Sequence, residues 1–290
     1  MSLIYAMSDI HGCLQPLLEA LSLVDLDYDK ENKLIFCGDY IDYGPNSCEI
    51  LYKVKKLYDN YPHQVIVLMG NHEYMFLEFL NAKDKDIWNV EWLGVDKGFS
   101  TVNTFISESC KYKIEQLNSE LGQHAYLNRV AKAIKEDILI NHKDLIKWLK
   151  GLNYYYETEF QIFVHAGVDE EAEEYWMYGT SDENFVSKFP AAFGKFYKDI
   201  IAGHVSVSSL AEDKNYHSVY WDGLSHYYID GTVYVTGNLL LLKYDTVLRK
   251  YSCFNKEKKE HIVIKPWQII TLFYYLGIIG LFNPSISGKI

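Results

Sequence analysis

With 290 residues and 49% hydrophobic content, the chain can bury one large core, alone or with a substantial insertion. Its net charge of −11 and pI near 5.4 exclude a binder of nucleic-acid backbone, which needs a basic face. Cys13, Cys37, Cys48, Cys110 and Cys253 are odd in number and form no C-x-x-C pair, which points to a reduced, cytoplasmic setting rather than a disulfide framework.

Apolar runs at Leu3 to Met7, Leu34 to Cys37 and Val65 to Met69 predict buried strands, with helices from about Cys13 to Val24 and near residues 47–59. This β-α-β-α-β order predicts a largely parallel sheet under covering helices. The first strand begins without a charged leader segment, so no signal peptide is expected. From about residue 74 to 150 the pattern turns helical and lies between two strands, as an insertion over the same core.

Strands resume at Ile162 to His165 and Ile200 to His204. Ser218 to Trp221, Tyr227 to Ile229, Thr232 to Val235 and Leu239 to Tyr244 then alternate aromatic and β-branched residues. Asp222-Gly223, Asp230-Gly231 and Gly237-Asn238 are expected as hairpin turns, giving a more antiparallel second sheet. One domain is expected over residues 1–252, followed by a tail over 253–290 with a charge run, Lys256 to Glu260, and an apolar segment, Trp267 to Phe282. That segment falls short of the roughly 20 residues that span a bilayer. A packed helix or a homo-oligomer contact is expected of it in preference to membrane contact.

The strands end on short polar segments: Asp9-Ile10-His11-Gly12, Gly38-Asp39-Tyr40-Ile41-Asp42, Gly70-Asn71-His72-Glu73, His165-Ala166-Gly167 and Gly203-His204. Open α/β sheets place their sites at such strand ends. Asp9 and His11 share one side of an extended chain, and a carboxylate with an imidazole suits manganese, iron or zinc better than calcium or magnesium. Asp39 has two oxygens with which to bridge two ions; Asn71, His165 and His204 add a carbonyl and two imidazoles. Two divalent ions opposite Asp9, Asp39 and a bridging hydroxide would leave net positive charge, which favours a phosphate ester. His72 is placed to protonate a leaving group as general acid, with Asp42 fixing its tautomer. His63, His124, His142, His217, His226 and His261 are expected at the surface or in packing, and Trp92, Tyr154, Tyr155 and Tyr156 in the core.

The ordered set D-x-H-G, G-D-x-x-D-x-G, G-N-H-E, V-H-A-G and G-H resembles the calcineurin-like metallophosphoesterases. Within them it is most similar to the phosphoprotein phosphatase branch, with its bacterial Ser/Thr phosphatases and symmetrical dinucleoside tetraphosphate hydrolases. Spanning residues 4 to about 245, the resemblance implies a four-layer α/β/β/α sandwich. It also implies two divalent ions, manganese first with iron or zinc as alternatives, held by Asp9, His11, Asp39, Asn71, His165 and His204, beside an acid pair of His72 and Asp42.

The chain departs from the family where phosphate is gripped. Tyr43 stands where the family usually has Arg, and Trp176-Met177-Tyr178 is the nearest match to a W-x-R segment. The chain's arginines are Arg129 and Arg249. Tyr offers one neutral hydrogen bond where Arg offers a charged fork, so Tyr43 and Tyr178 are candidate contacts in an altered substrate pocket. The expected activity is hydrolysis of phosphate monoesters by a bridging hydroxide, serine/threonine protein phosphatase-like, on a phosphorylated protein or a small phosphate ester. The alternatives are a dinucleoside polyphosphate hydrolase and a metal-containing binding module that has lost catalysis.

Overall fold

The computed structural model describes residues 2–83, 92–93, 99–117, 122–256 and 258–264. Strands β1 (Leu3–Met7), β2 (Lys33–Phe36) and β3 (Val65–Val67) pair in parallel, with helices α1 (Leu14–Leu21) and α2 (Ser47–Asn60) as crossovers. Helix α2 turns Ile50, Leu51 and Val54 inward, one stripe at helical spacing. The segment after β3 is helical, as its pattern predicts: α3 (Asn71–Asn81), α4 (Ser100–Phe105), α5 (Glu108–Glu115), α6 (Gln123–Asn141) and α7 (Lys143–Leu149).

The second sheet contains β4 (Tyr155–Glu157), β5 (Gln161–Val164), β6 (Asp199–Ser206), β7 (Tyr220–Trp221) and β8 (His226–Asp230), in the order β4-β5-β6-β8-β7. Its centre, β5-β6-β8, is parallel; β4 and β7 are antiparallel edges. The antiparallel strands expected here belong largely to the first sheet, where β9 (Leu242–Asp245), β10 (Lys250–Asn255) and β11 (Glu260–Val263) complete the order β11-β10-β9-β1-β2-β3. Tyr251 joins the two sheets: its ring lies 4.2 Å from that of Tyr227 and its hydroxyl donates to Asp199 Oδ2 at 2.6 Å. The four-layer α/β/β/α class implied by the resemblance is the class observed, with its sheets in this mixed order. The apolar segment Trp267 to Phe282 lies outside the described residues. No described helix is long and apolar enough to cross a membrane.

Asp222-Gly223 does turn the β7–β8 hairpin. Thr232 to Val235, expected as a strand, is instead a helical turn, Val233–Thr236. Thr232 enters it with φ of 50° and its N–H donates to Asp230 Oδ1 at 2.7 Å; Gly237 leaves it with φ of 64°. Asp230-Gly231 and Gly237-Asn238 therefore bracket a helix, because local hydrogen bonds outweigh the strand preference of Val and Tyr.

His226, expected at the surface or in packing, is buried in a clasp. Its Nδ1 lies 2.9 Å from Asp222 Oδ2 and its Nε2 3.1 Å from Glu170 Oε2. Burial opposes its charge, but the two carboxylates outweigh burial and lift its pKa to about 9. A pKa above the unfolded value means the stabilisation is complete below about pH 6.5 and is lost as pH rises through about 9. His226→Gln is expected to cost about 2 kcal/mol at pH 6, discounted because Glu170 retains some exposure, and to flatten the alkaline fall in stability. Urea unfolding of both proteins from pH 6 to 10 measures this; parallel pH profiles would show that the clasp does not titrate.

Candidate active site

Five elements deliver the polar side chains to one place. The loop after β1 carries Asp9 and His11, the loop after β2 carries Asp39 and Asp42, and α3 opens with Asn71 and His72. His165 directly follows β5. His204 lies within β6, where the pairing with β8 shifts register between Ala202 and Ser206; this irregularity re-aims its ring, as a bulge does. Asp9, His11, Asp39, Asp42 and His204 all have left-handed backbones, with φ of 56°, 44°, 58°, 71° and 63°. Each such residue costs about 1 kcal/mol or more and persists only where its surroundings hold it.

Glu73 holds the second loop. Its buried carboxylate accepts from the N–H groups of Asp39 (2.9 Å), Tyr40 (2.8 Å) and Ile41 (3.1 Å). Close approach does the rest: a Cβ on Gly203 would collide with Asp9 Oδ2 and Ser8 Oγ, and one on Gly70 with Asp39. Small residues at these positions let the two sheets bring their carboxylates together.

Asp39 Oδ2 is the centre of the cluster. It lies 3.7 Å from His11 Nε2, 3.8 Å from His72 Nε2 and 3.3 Å from His165 Nε2. Two donor groups capable of holding a cation share it: His11, Asp39 and His72, and Asp39, His165 and His204. Asn71 Oδ1 is 2.8 Å from His165 Nε2 and 3.1 Å from His204 Nδ1. Asp9 stands 3.9 Å from His11 Nε2 and accepts from the His204 N–H at 3.1 Å. All six residues expected as metal ligands are thus brought together.

The arrangement fits divalent cations. His11 Nδ1 lies 2.9 Å from the Ile41 carbonyl and His165 Nδ1 2.8 Å from the Cys37 carbonyl. Carbonyls only accept, so Nδ1 keeps the proton and Nε2 faces the cluster. Burial opposes the His165 imidazolium, but Asp39 and Asp9 prevail and raise its pKa to about 10, so Nε2 also carries a proton, toward Asn71 Oδ1 and Asp39, which a bound cation would displace. Burial lowers the pKa of His11 and His204 to about 4, leaving both neutral as ligands must be. Burial and Asp230 push the Asp9 carboxyl well above its usual range, and burial lifts Asp230 to about 6. Asp39 stays well below its usual range: burial opposes its charge, but His165 and His72 prevail. Positive charge among these carboxylates relieves the repulsion.

His72 and Asp42 are joined at 2.6 Å between Nδ1 and Oδ2. Asp42 also accepts from Trp92 Nε1 at 3.1 Å and from the Thr101 hydroxyl at 2.6 Å, while its own N–H donates to Ser47 and Thr101. Trp92 is a core residue, as its sequence suggests, packed against Phe76 and Phe79, and it also grips the acid pair. The contacts of Thr101, Asp230 and Glu73 had no signal in residue spacing, although Glu73 closes the G-N-H-E segment.

Tyr43 sits at the cluster, its ring 4.8 Å from that of His11 and 5.5 Å from that of His72. Tyr178 is 83% exposed on the short helix Trp176–Gly179; Tyr234, which the sequence reading passed over, stacks on Tyr43. The Arg249 guanidinium lies 4.7 Å over the Phe160 ring, and the Lys188 ammonium is engaged by the Val168 carbonyl and by Glu170.

Residues 2–231 match the model of the calcineurin-like phosphoesterases, and the chain belongs to that family. A symmetrical bis(5'-nucleosyl)-tetraphosphatase of Wigglesworthia glossinidia brevipalpis is 30% identical over 154 residues, 52% of this chain and 53% of that relative. The counterpart from Nitrosospira multiformis is 39% identical over 74 residues, 26% of this chain and 25% of its own length. The chain thus spans about half, or less, of the length of these curated relatives. Among solved structures, the cold-active protein-tyrosine phosphatase of a psychrophilic Shewanella shares the fold, with a TM-score of 0.55 at 16% identity, covering 91% of this chain and 80% of that one.

The His72–Asp42 pair can be followed directly in the metal-free protein. Burial disfavours the His72 imidazolium, yet Asp39 and the hydrogen bond to Asp42 outweigh burial and raise its pKa to about 9. Asp42→Asn removes one of the two anions, so the His72 pKa is expected to fall by a unit or more, of the order found for a close opposite charge. Titration of its ring proton by NMR checks this; an unchanged midpoint would show that Asp42 does not govern the His72 proton.

Proposed function

We propose that this chain is a phosphoesterase acting on phosphate monoesters, of the serine/threonine protein phosphatase kind in its machinery, with a phosphorylated protein or a small phosphate ester as substrate. The observation that carries this is the position of His72. Its Nδ1 is held by Asp42 at 2.6 Å while its Nε2 points at the cation-binding cluster, 3.8 Å from Asp39 Oδ2. A proton donor next to a cation cluster suits cleavage of a phosphate ester, in which charge develops on the phosphoryl and leaving oxygens together.

Asp9, His11, Asp39, Asn71, His165 and His204 would hold two divalent ions, manganese first, with iron or zinc as alternatives. When bound, such ions supply Lewis-acid charge to phosphoryl oxygens and lower the pKa of nearby water. The chain's own residues do the rest. His72 Nε2 delivers a proton to the leaving oxygen, Asp42 keeps the opposite nitrogen protonated, and the Tyr43 hydroxyl offers a neutral hydrogen bond near the phosphoryl group. The five cysteines are free thiols, which supports a reducing, cytoplasmic location.

A second reading, hydrolysis of dinucleoside polyphosphates, is favoured by the similarity to symmetrical bis(5'-nucleosyl)-tetraphosphatases. It requires cationic contacts for several phosphates, and Lys188 and Arg249 are engaged elsewhere.

Phosphate release by the manganese-loaded chain, assayed on a phosphopeptide and on diadenosine tetraphosphate, tests both readings. Asp39→Asn is expected to abolish turnover, and Asp42→Asn to lower kcat about 10²-fold or more. Equal release by wild type and Asp39→Asn would overturn the phosphoesterase reading; preference for the dinucleotide would replace the first reading with the second.

A further inference from the structure

Tyr43 and Tyr234 form a parallel stack beside the cluster. Their ring centroids are 4.2 Å apart with 7° between planes, and the His11 ring meets both edge-on, at 4.8 Å and 5.4 Å. The rings are 39% and 42% exposed, so the stack opens to solvent instead of ending in the core. Tyr234 is fixed from below: its helical turn is bracketed by the Thr232 N–H bond to Asp230 and by the Thr236 hydroxyl bond to the Gly231 carbonyl. Two large aromatic faces kept rigid and half in water next to charged groups form a preorganised binding surface.

The stack also borders His72. The Tyr43 ring is 5.5 Å from that of His72, the residue assigned to protonate the leaving oxygen. We propose that the Tyr43–Tyr234 stack is an aromatic wall for the leaving group and selects phosphate esters of phenols, the class that includes tyrosine-phosphorylated peptides, over esters of aliphatic alcohols. This rests on the phosphoesterase reading above.

The covalent chemistry of the ester decides the class. In a phenolic ester the ring is bonded to the leaving oxygen itself, so a substrate seated with that oxygen at His72 brings its ring against Tyr43. An alkyl ester offers only a methylene at the same place. A dinucleoside polyphosphate keeps its base a ribose and further phosphates away from the cleaved bond, too far to use a wall in contact with His72. The wall also lacks charge, because a phenol side chain is neutral near pH 7. A neutral π-face suits an aryl ring and not an extended polyphosphate.

The test uses the full chain loaded with manganese. Wild type, Tyr234→Ala and Tyr234→Phe are compared on two peptides of one sequence, bearing phosphotyrosine or phosphoserine, and by titration with phenylphosphonate and methylphosphonate, which are not hydrolysed. Wild type is expected to favour the aryl member of each pair. Loss of one aromatic pair in Tyr234→Ala should reduce that ratio about three- to tenfold, mainly through KM, and Tyr234→Phe should restore it. A ratio that is unchanged in Tyr234→Ala, or lost equally in Tyr234→Phe, would overturn the wall. Absence of turnover on both peptides would instead defeat the phosphoesterase reading, while the phosphonate titrations would still report on the wall.

Discussion

The site depends on one buried anion, the carboxylate of Asp39. Three imidazoles, from His11, His72 and His165, converge on its Oδ2, and its Oδ1 accepts the His72 backbone N–H at 3.1 Å. A charge taken out of water this completely is tolerated only where every lone pair has a partner. Those partners come from β1, α3 and the second sheet, so satisfying Asp39 requires the two sheets to meet in one register. The chemistry of the site and the packing of the sandwich are therefore one constraint.

The left-handed backbones follow from that constraint. Carboxylates and imidazoles from five elements can reach one point only if the chain turns sharply at or just after the strands, and non-glycine residues at Asp9, His11, Asp39, Asp42 and His204 accept the strain. Glu73 offsets part of it. By accepting three consecutive N–H groups it satisfies donors that no strand ladder reaches, and it fixes the loop that carries both Asp39 and Asp42.

The convergence of the six candidate ligands with His72 and Asp42 was legible because these residues lie at or near the ends of apolar runs, and strand ends in an α/β sheet converge. The parallel β1-β2-β3 core was legible for the same reason. What escaped depends on contacts across long stretches of chain. Glu73 acts on a loop more than thirty residues earlier in the chain. Trp92 and Thr101 reach Asp42 from the insertion, where apolar periodicity reports burial and not polar partners. Tyr234 was hidden by its β-branched neighbours, whose strand-like alternation gave way to hydrogen bonds from Asp230 and Thr236. The β-strands returning to the first sheet were missed because alternation sets which face a strand shows and not which sheet it joins.

The grip of Trp92 and Thr101 on Asp42 makes the helical insertion more than a cover. Through Asp42 the insertion reaches the His72 ring, whereas the rings of His11, His165 and His204 bond to the loop after β2 and to Asn71. Two separate supports therefore meet at the site: the strand ends gather the buried carboxylates and imidazoles, and the insertion steadies Asp42 against the His72 ring.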